Sequence, residues 1–160
     1  MKGKPMRLRL APVDEGNRAQ AEALRVAQGQ EGFIETVADC LAEADELPCW
    51  RPAGIYDGEK LVGFAMYCQW NEDPDERVWL DRFLISHECQ GRGYGHAALA
   101  LLLDRLEEEY GPRDVYLSVI PGNGAAQRLY REFGFRYNGE LDIHGERVMV
   151  RERPRLEDRA

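Results

Sequence analysis

Seven residues concentrate the chemistry this sequence can do: Gln90-Gly91-Arg92-Gly93-Tyr94-Gly95-His96. Alternate glycines are costly in a connection unless the backbone must take unusual dihedrals or come close to another group. Where a helix follows, such a turn aims several N–H groups outward at the positive end of the helix dipole, which makes a cradle for phosphate. A plain glycine-rich connection explains the glycine content alone equally well. Two phosphate ligands compete for the loop. Gly93-x-Gly95-x-x-Ala98 matches the dinucleotide fingerprint, and Asp114 lies about 20 residues on, where a ribose-binding acid belongs. Against this, Ser86-His87-Glu88-Cys89-Gln90 separates the preceding strand from the first glycine. Three strands also come before the loop with no helix between them, which does not suit repeated βαβ units. No Gly-Lys-Ser/Thr follows, so a Walker-type loop is excluded.

The elements that must hold this loop are readable from periodicity. Arg77 to Ile85 is the strand before it and Ala97 to Tyr110 the helix after it, closed by Gly111-Pro112. Upstream, Arg7 to Leu10 alternates as a short strand. Asp14 reads as the N-cap of a helix over Glu15 to Val26, and Gly29 and Gly32 bracket a break. A second helix fits Phe33 to Ala44. Pro48 and Pro52 mark a loop, and Ala53 to Tyr56 and Leu61 to Trp70 are strands joined by Asp57-Gly58, a strong hairpin signal. Downstream come a buried-type strand at Val115 to Val119, a helix at Ala125 to Phe133 stopped by Gly134, and a hairpin of Arg136 to Leu141 with Arg147 to Val150 around His144-Gly145. The order β-α-α-β-β-β-α-β-α-β-β implies an α/β mixed sheet with helices on both faces.

Composition narrows the function. The chain has 160 residues, 44% apolar and 31% charged, the balance of one globular domain. Residues 1–150 read as that domain and 151–160 as a charged tail. The net charge of −8 argues against a nucleic-acid partner and suits a cationic one. No run reaches the ~18 apolar residues of a membrane span. The basic start lacks an apolar core, so the expectation is a cytoplasmic chain with no membrane partner. Cys40, Cys49, Cys68 and Cys89 are widely spaced and do not cluster with His87, His96 or His144. The expectation is therefore reduced thiols and no metal.

At this point a resemblance enters. Gln90, Gly93 and Gly95 form Gln-x-x-Gly-x-Gly. Asn123, Ala126, Leu129-Tyr130 and Gly134-Phe135 form Asn-x-x-Ala-x-x-Leu-Tyr-x-x-x-Gly-Phe. With this element order, from about Arg7 to Val150, the chain resembles the GCN5-related N-acetyltransferases (GNAT). The resemblance implies acetyl-coenzyme A (CoA) as co-substrate, its pyrophosphate on the loop. The strand before the loop would splay, and Phe83-Leu84-Ile85 would pair with the pantetheine arm as an added strand. Gln90 belongs to the motif, and amides of Gly91, Arg92, Gly93, Tyr94, Gly95 and His96 would hold the pyrophosphate. Asn123, with Ala126 in the same motif, would contact the cofactor, and Tyr130 would lie near its sulfur. In the implied reaction a neutral amine attacks the thioester and a base removes a proton. An N–H of Leu84 or Ile85 would stabilise the oxyanion. Tyr130, with an ordinary pKa of ~10, would protonate the leaving thiolate.

The acceptor is less constrained. Asp81 alternates with Trp79, Phe83 and Ile85, which predicts one shared face. A carboxylate there would serve as base or substrate ligand, or be paired with Arg82. Glu72, Asp73, Asp75 and Glu76 would sit at the rim or simply form a solvated turn. Gln30-Glu31-Gly32-Phe33, Leu41-Ala42-Glu43-Ala44, Val62 to Tyr67, Trp79-Leu80-Asp81-Arg82-Phe83 and Gly139-Glu140 resemble bacterial spermine/spermidine (diamine) acetyltransferases. That resemblance implies a small polycationic amine as acceptor. The alternatives are an aminoglycoside or streptothricin, a protein lysine or N-terminus, or a CoA-binding module without catalysis. A homodimer is possible for this fold.

Overall fold

Among the described residues, turn residues cut the apolar runs into seven strands: β1 (Leu8–Pro12), β2 (Arg51–Asp57), β3 (Lys60–Gln69), β4 (Val78–Ile85), β5 (Val115–Val119), β6 (Arg136–Leu141) and β7 (Arg147–Arg151). Four α-helices accompany them among the described residues: α1 (Arg18–Glu22), α2 (Val37–Glu46), α3 (Tyr94–Tyr110) and α4 (Gly124–Glu132). The structure, a computed structural model, describes residues 7–25, 36–70, 76–120, 122–142 and 145–153. All strands join one sheet in the order β1-β2-β3-β4-β5-β7-β6. Pairing is antiparallel except between β4 and β5, which the α3 crossover makes parallel. The order matches the sequence expectation, and the sheet is mixed.

Helices cover both faces. α3 turns Ala98, Leu99, Leu102, Leu103 and Leu106, at helical spacing, onto Leu80, Leu117 and Phe135. Each such leucine taken from water contributes about 1.5–3 kcal/mol. On the other face Ala21 of α1 and Val37, Cys40 and Leu41 of α2 pack on Phe64, Met66 and Leu84. Among the described residues no helix is long and apolar enough to cross a membrane.

Several boundaries differ from expectation for local reasons. α1 has five residues and starts at Arg18. Asp14 is not its N-cap: one Asp14 carboxylate oxygen accepts the Gly16 N–H at 2.8 Å, and its carbonyl accepts the Arg18 N–H at 2.9 Å. The side chain thus builds a turn ahead of the helix. Val26, the breaks at Gly29 and Gly32, and Phe33 lie outside the described residues. So do residues 71–75 of the acidic turn, His144 and residues 154–160 of the tail. The described part of the second helix is capped by Thr36, whose hydroxyl accepts the Asp39 N–H at 3.2 Å. Pro52 is not in a loop. It is the second residue of β2, where only its carbonyl is needed, accepting the Val13 N–H at 3.1 Å. α3 begins three residues before Ala97, directly after Gly93.

Candidate active site

The site begins where two strands part. β4 and β5 pair only at Val78↔Val115 and Trp79↔Tyr116, after which β4 runs on for six residues without β5. Backbone direction then decides which groups face the gap. Ser86 donates its N–H to the Val62 carbonyl at 2.8 Å, so the Ser86 and Leu84 backbone groups point to β3. The Leu84 carbonyl points the same way, toward Gly63. Ile85, opposite Gly63, is a non-bonded pair, and its N–H and C=O face the gap. Of the two oxyanion donors implied by the sequence, this alternation selects Ile85 over Leu84. The Ile85 carbonyl accepts the Gln90 side-chain amide at 3.0 Å. Gln90 therefore fastens the loop to the strand end.

The loop delivers a helix whose N-terminus has no side-chain cap. α2 and α4 are capped by Thr36 and Asn123, but the N-cap position of the 17-residue α3 is Gly93, which offers no side chain. Gly93 (φ +83°) and Gly91 (φ +77°) sit in the left-handed region that favours glycine. The first intrahelical donor is the Ala97 N–H, to the Gly93 carbonyl at 3.2 Å. The Tyr94, Gly95 and His96 amides come before it and have no intrahelical acceptor. Gly91, Arg92 and Gly93 are exposed. This cradle fits a pyrophosphate. The His96 side chain turns instead to α4, against the Phe133 ring (centroids 4.7 Å apart) and 3.9 Å from Glu132.

α4 supplies the opposite wall. The Asn123 side-chain oxygen accepts the Ala126 N–H at 3.4 Å and so caps α4. That uses the Ala126 amide, and leaves the Asn123 Nδ2 donor and the small Ala126 side chain as the groups these positions could offer a cofactor. A methyl group built on Gly95 would stand 3.6 Å from Leu129, so α4 lies against the start of α3. Tyr130 follows Leu129, its ring edge-on to Phe135 with centroids 5.8 Å apart. Burial raises the pKa of its phenol well above the ordinary value, and the Asp81 charge adds to this. The phenol stays protonated at neutral pH.

Asp81 does not share a face with Phe83 and Ile85, and here the sequence expectation is corrected. Met66 pairs with Asp81 but Phe64 with Leu84, so β4 carries one extra residue between them. That residue is Arg82 with φ +53°, and it forms a bulge. The bulge reverses the alternation. Phe83 and Ile85 pack toward α3, whereas Asp81 lies with Met66 on the α2 side. One Asp81 oxygen accepts the Arg82 N–H at 2.9 Å, and the other accepts Arg82 Nη1. Arg82 Nη2 reaches Glu43 of α2 at 2.9 Å. Three groups that are 39 residues apart at their extremes thus form one part-buried Asp81–Arg82–Glu43 array.

A further acid went unread in the sequence. Burial raises the Glu146 pKa, with the charges of Asp142 and Asp81 adding and Arg82 opposing. Glu146 and Asp142 lock the β6–β7 turn, the Glu146 N–H meeting Asp142 Oδ1 at 2.8 Å. No local sequence signal marks Glu146, because it is the pairing of β7 with β5 that brings Glu146 under the charges of Asp81 and Arg82 on β4. Glu43 was legible as part of the Leu41-Ala42-Glu43-Ala44 stretch of the polyamine resemblance, without a role of its own. Among the described residues no cluster of histidine, cysteine or carboxylate side chains could hold a metal ion.

A strand parted from its parallel neighbour, beside a helix entered through glycines and left uncapped, defines an acyltransferase that takes its acyl group from a CoA thioester. The chain belongs to the acetyltransferase (GNAT) family, whose model matches residues 13–135. It is similar to the spermine/spermidine N(1)-acetyltransferase of Bacillus subtilis (strain 168), 44% identical over 151 residues that cover 92% of this chain and 99% of that one. In structure it is similar to the spermidine N-acetyltransferase of Vibrio cholerae solved with CoA and spermine, with a TM-score of 0.69, 19% identity, and 89% and 92% of the two chains covered. It is also similar to an aminoglycoside acetyltransferase solved with coenzyme A, with a TM-score of 0.76, 19% identity, and 92% and 95% covered. At such identities the two structural likenesses show the fold.

Proposed function

We propose that this chain transfers acetyl from acetyl-CoA to a primary amine of spermine, spermidine or a related diamine. The observation that carries the acceptor is the acidic wall of Asp81, Glu43, Glu146 and Asp142 beside the gap, on a chain 44% identical to a spermine/spermidine acetyltransferase over nearly its whole length. A polycation is held by such a wall and a neutral amine is not. Each residue then has a task. The Tyr94, Gly95 and His96 amides hold pyrophosphate, and the gap-facing groups of Phe83 and Ile85 extend the sheet with pantetheine. The Ile85 N–H meets the developing oxyanion, and Tyr130 gives its proton to the departing sulfur. Asp81, both oxygens engaged by Arg82, acts as fixed negative charge for the acceptor's ammonium groups; the proton lost from the attacking nitrogen passes to solvent, which restores the Tyr130 phenol after it has protonated the sulfur.

The test is CoA release with acetyl-CoA across spermine, spermidine, putrescine, an aminoglycoside, streptothricin and lysine peptides. Saturation with a polyamine is expected. Turnover of another amine with all three polyamines silent would refute the acceptor. Asp81→Asn sharpens the point: it should raise the KM for spermidine about tenfold, the scale of one charge-assisted contact. The KM for acetyl-CoA should stay unchanged, and the salt dependence of spermidine KM should flatten. An unchanged spermidine KM would remove Asp81 from the acceptor site.

A further inference from the structure

The glycine tripeptide of the loop has little to hold it. Residues 91–93 are exposed, two of them have positive φ, and a methyl group built on Gly91 would meet nothing within 4 Å. Yet the Tyr94, Gly95 and His96 amides that open α3 directly after it must converge on one anion, and a helix start on a slack tether would lose that convergence to conformational entropy. Two side chains flank the tripeptide and fasten it. On one side Gln90 donates to the Ile85 carbonyl. On the other, the Tyr94 hydroxyl donates to Asp57 Oδ2 at 2.5 Å. Asp57 ends β2 at the β2–β3 hairpin, and its other oxygen accepts the Arg7 N–H at 3.0 Å. The hairpin is itself fixed, since Gly58 donates to the Arg7 carbonyl at 3.1 Å and Arg9 Nε to the Gly58 carbonyl at 3.1 Å. Tyr94 is the first residue of α3, and its ring packs partly buried against the core.

We propose that the Tyr94 hydroxyl and the Asp57 carboxylate form a latch that pre-organises the pyrophosphate loop, making both of them positioning residues for acetyl-CoA. The inference rests on the reading of that loop as the pyrophosphate cradle. It adds a task for the Tyr94 side chain, distinct from that of its amide, and assigns one to a hairpin residue far from the chemistry in sequence. The bond is charge-assisted, the kind with the largest individual effect. The Tyr94 OH, ahead of the Arg7 N–H, holds the Asp57 carboxyl below the usual carboxylate range, so the acceptor remains ionised at neutral pH.

The test compares two acetyl donors, acetyl-CoA and acetylpantetheine, which lacks the pyrophosphate. Wild type should prefer acetyl-CoA. If it shows no preference, the cradle reading fails in the unmodified protein, and the latch with it. Tyr94→Phe keeps the packed ring and removes only the hydroxyl. It should lower kcat/KM for acetyl-CoA roughly tenfold, through KM, and leave acetylpantetheine unchanged. Asp57→Asn keeps an acceptor for Arg7 and leaves Tyr94 only an uncharged partner, so it should give part of this loss, and the double variant should lose no more than Tyr94→Phe alone. Undiminished kcat/KM with acetyl-CoA in Tyr94→Phe, or an equal fall with both donors, would overturn the latch.

Discussion

Tyr130→Phe should lower kcat by roughly 10²- to 10³-fold, the range of a positioned general acid, and leave the Kd for acetyl-CoA nearly unchanged. In this reading the Tyr130 phenol is the acid for the leaving thiolate, and its ring packing against Phe135 survives loss of the hydroxyl. Fold and cofactor affinity should therefore persist while the leaving thiolate goes unassisted. The direction of the pKa shift adds a second readout. An acid works in its protonated form, and burial raises this phenol above its ordinary ~10. Ionisation of Tyr130 should then contribute no fall in wild-type rate up to that ordinary value. Stopped assays of CoA release from pH 7 upward, with acetyl-CoA binding followed separately by calorimetry, check both statements. Equal turnover in the two proteins would take Tyr130 out of the mechanism.

What the sequence made legible and what it hid divide along a physical line. Runs whose pattern is set by local periodicity came through: Val115–Val119 has its expected bounds, and the Asp57-Gly58 turn joins β2 to β3. The loop was legible because glycine at positive φ and a missing cap leave a local trace at Gly91 and Gly93. The face of Asp81 was not, because strict alternation assumes an unbroken strand. Arg82 gives no compositional hint that it takes a left-handed conformation. The acidic wall was hidden for another reason. Glu43 reaches Arg82 from α2 through the packing of that helix on the sheet, and Glu146 comes under the charge of Asp81 through sheet register; neither long-range arrangement leaves a trace in a window of neighbouring residues. The bulge and the wall belong together. Without the extra residue, Asp81 would face α3 and the apolar core, where a carboxylate is costly. With it, Asp81 faces α2 and finds Arg82 and Glu43, while Ile85 keeps its backbone toward the gap.

Gly63→Ala should damage both stability and turnover, although residue 63 touches neither substrate in this reading. A Cβ at this position would stand 2.5 Å from the Leu84 carbonyl oxygen and 3.0 Å from Ile85 Cδ1. The first of these is backbone, so no rotamer change relieves the clash. β3 and β4 must separate where Gly63 pairs with Ile85. Overpacking of this kind costs about 1–3 kcal/mol, read as a lower urea midpoint with an unchanged m-value. The displaced residue is the one whose N–H faces the gap as the oxyanion donor. A misplacement of that donor by about 1 Å costs about 10²-fold in rate. The variant should therefore lose kcat far beyond what its unfolded fraction explains, at a temperature where circular dichroism shows it folded. The neighbouring hairpin provides the contrast. Gly58 has φ +61° but open space around it, so Gly58→Asn, with the side chain that best tolerates that conformation, should lower stability slightly and leave kcat unchanged. If Gly63→Ala folds with wild-type kcat, β4 is not held by contact with β3, and the assignment of the Ile85 N–H to the oxyanion falls with it.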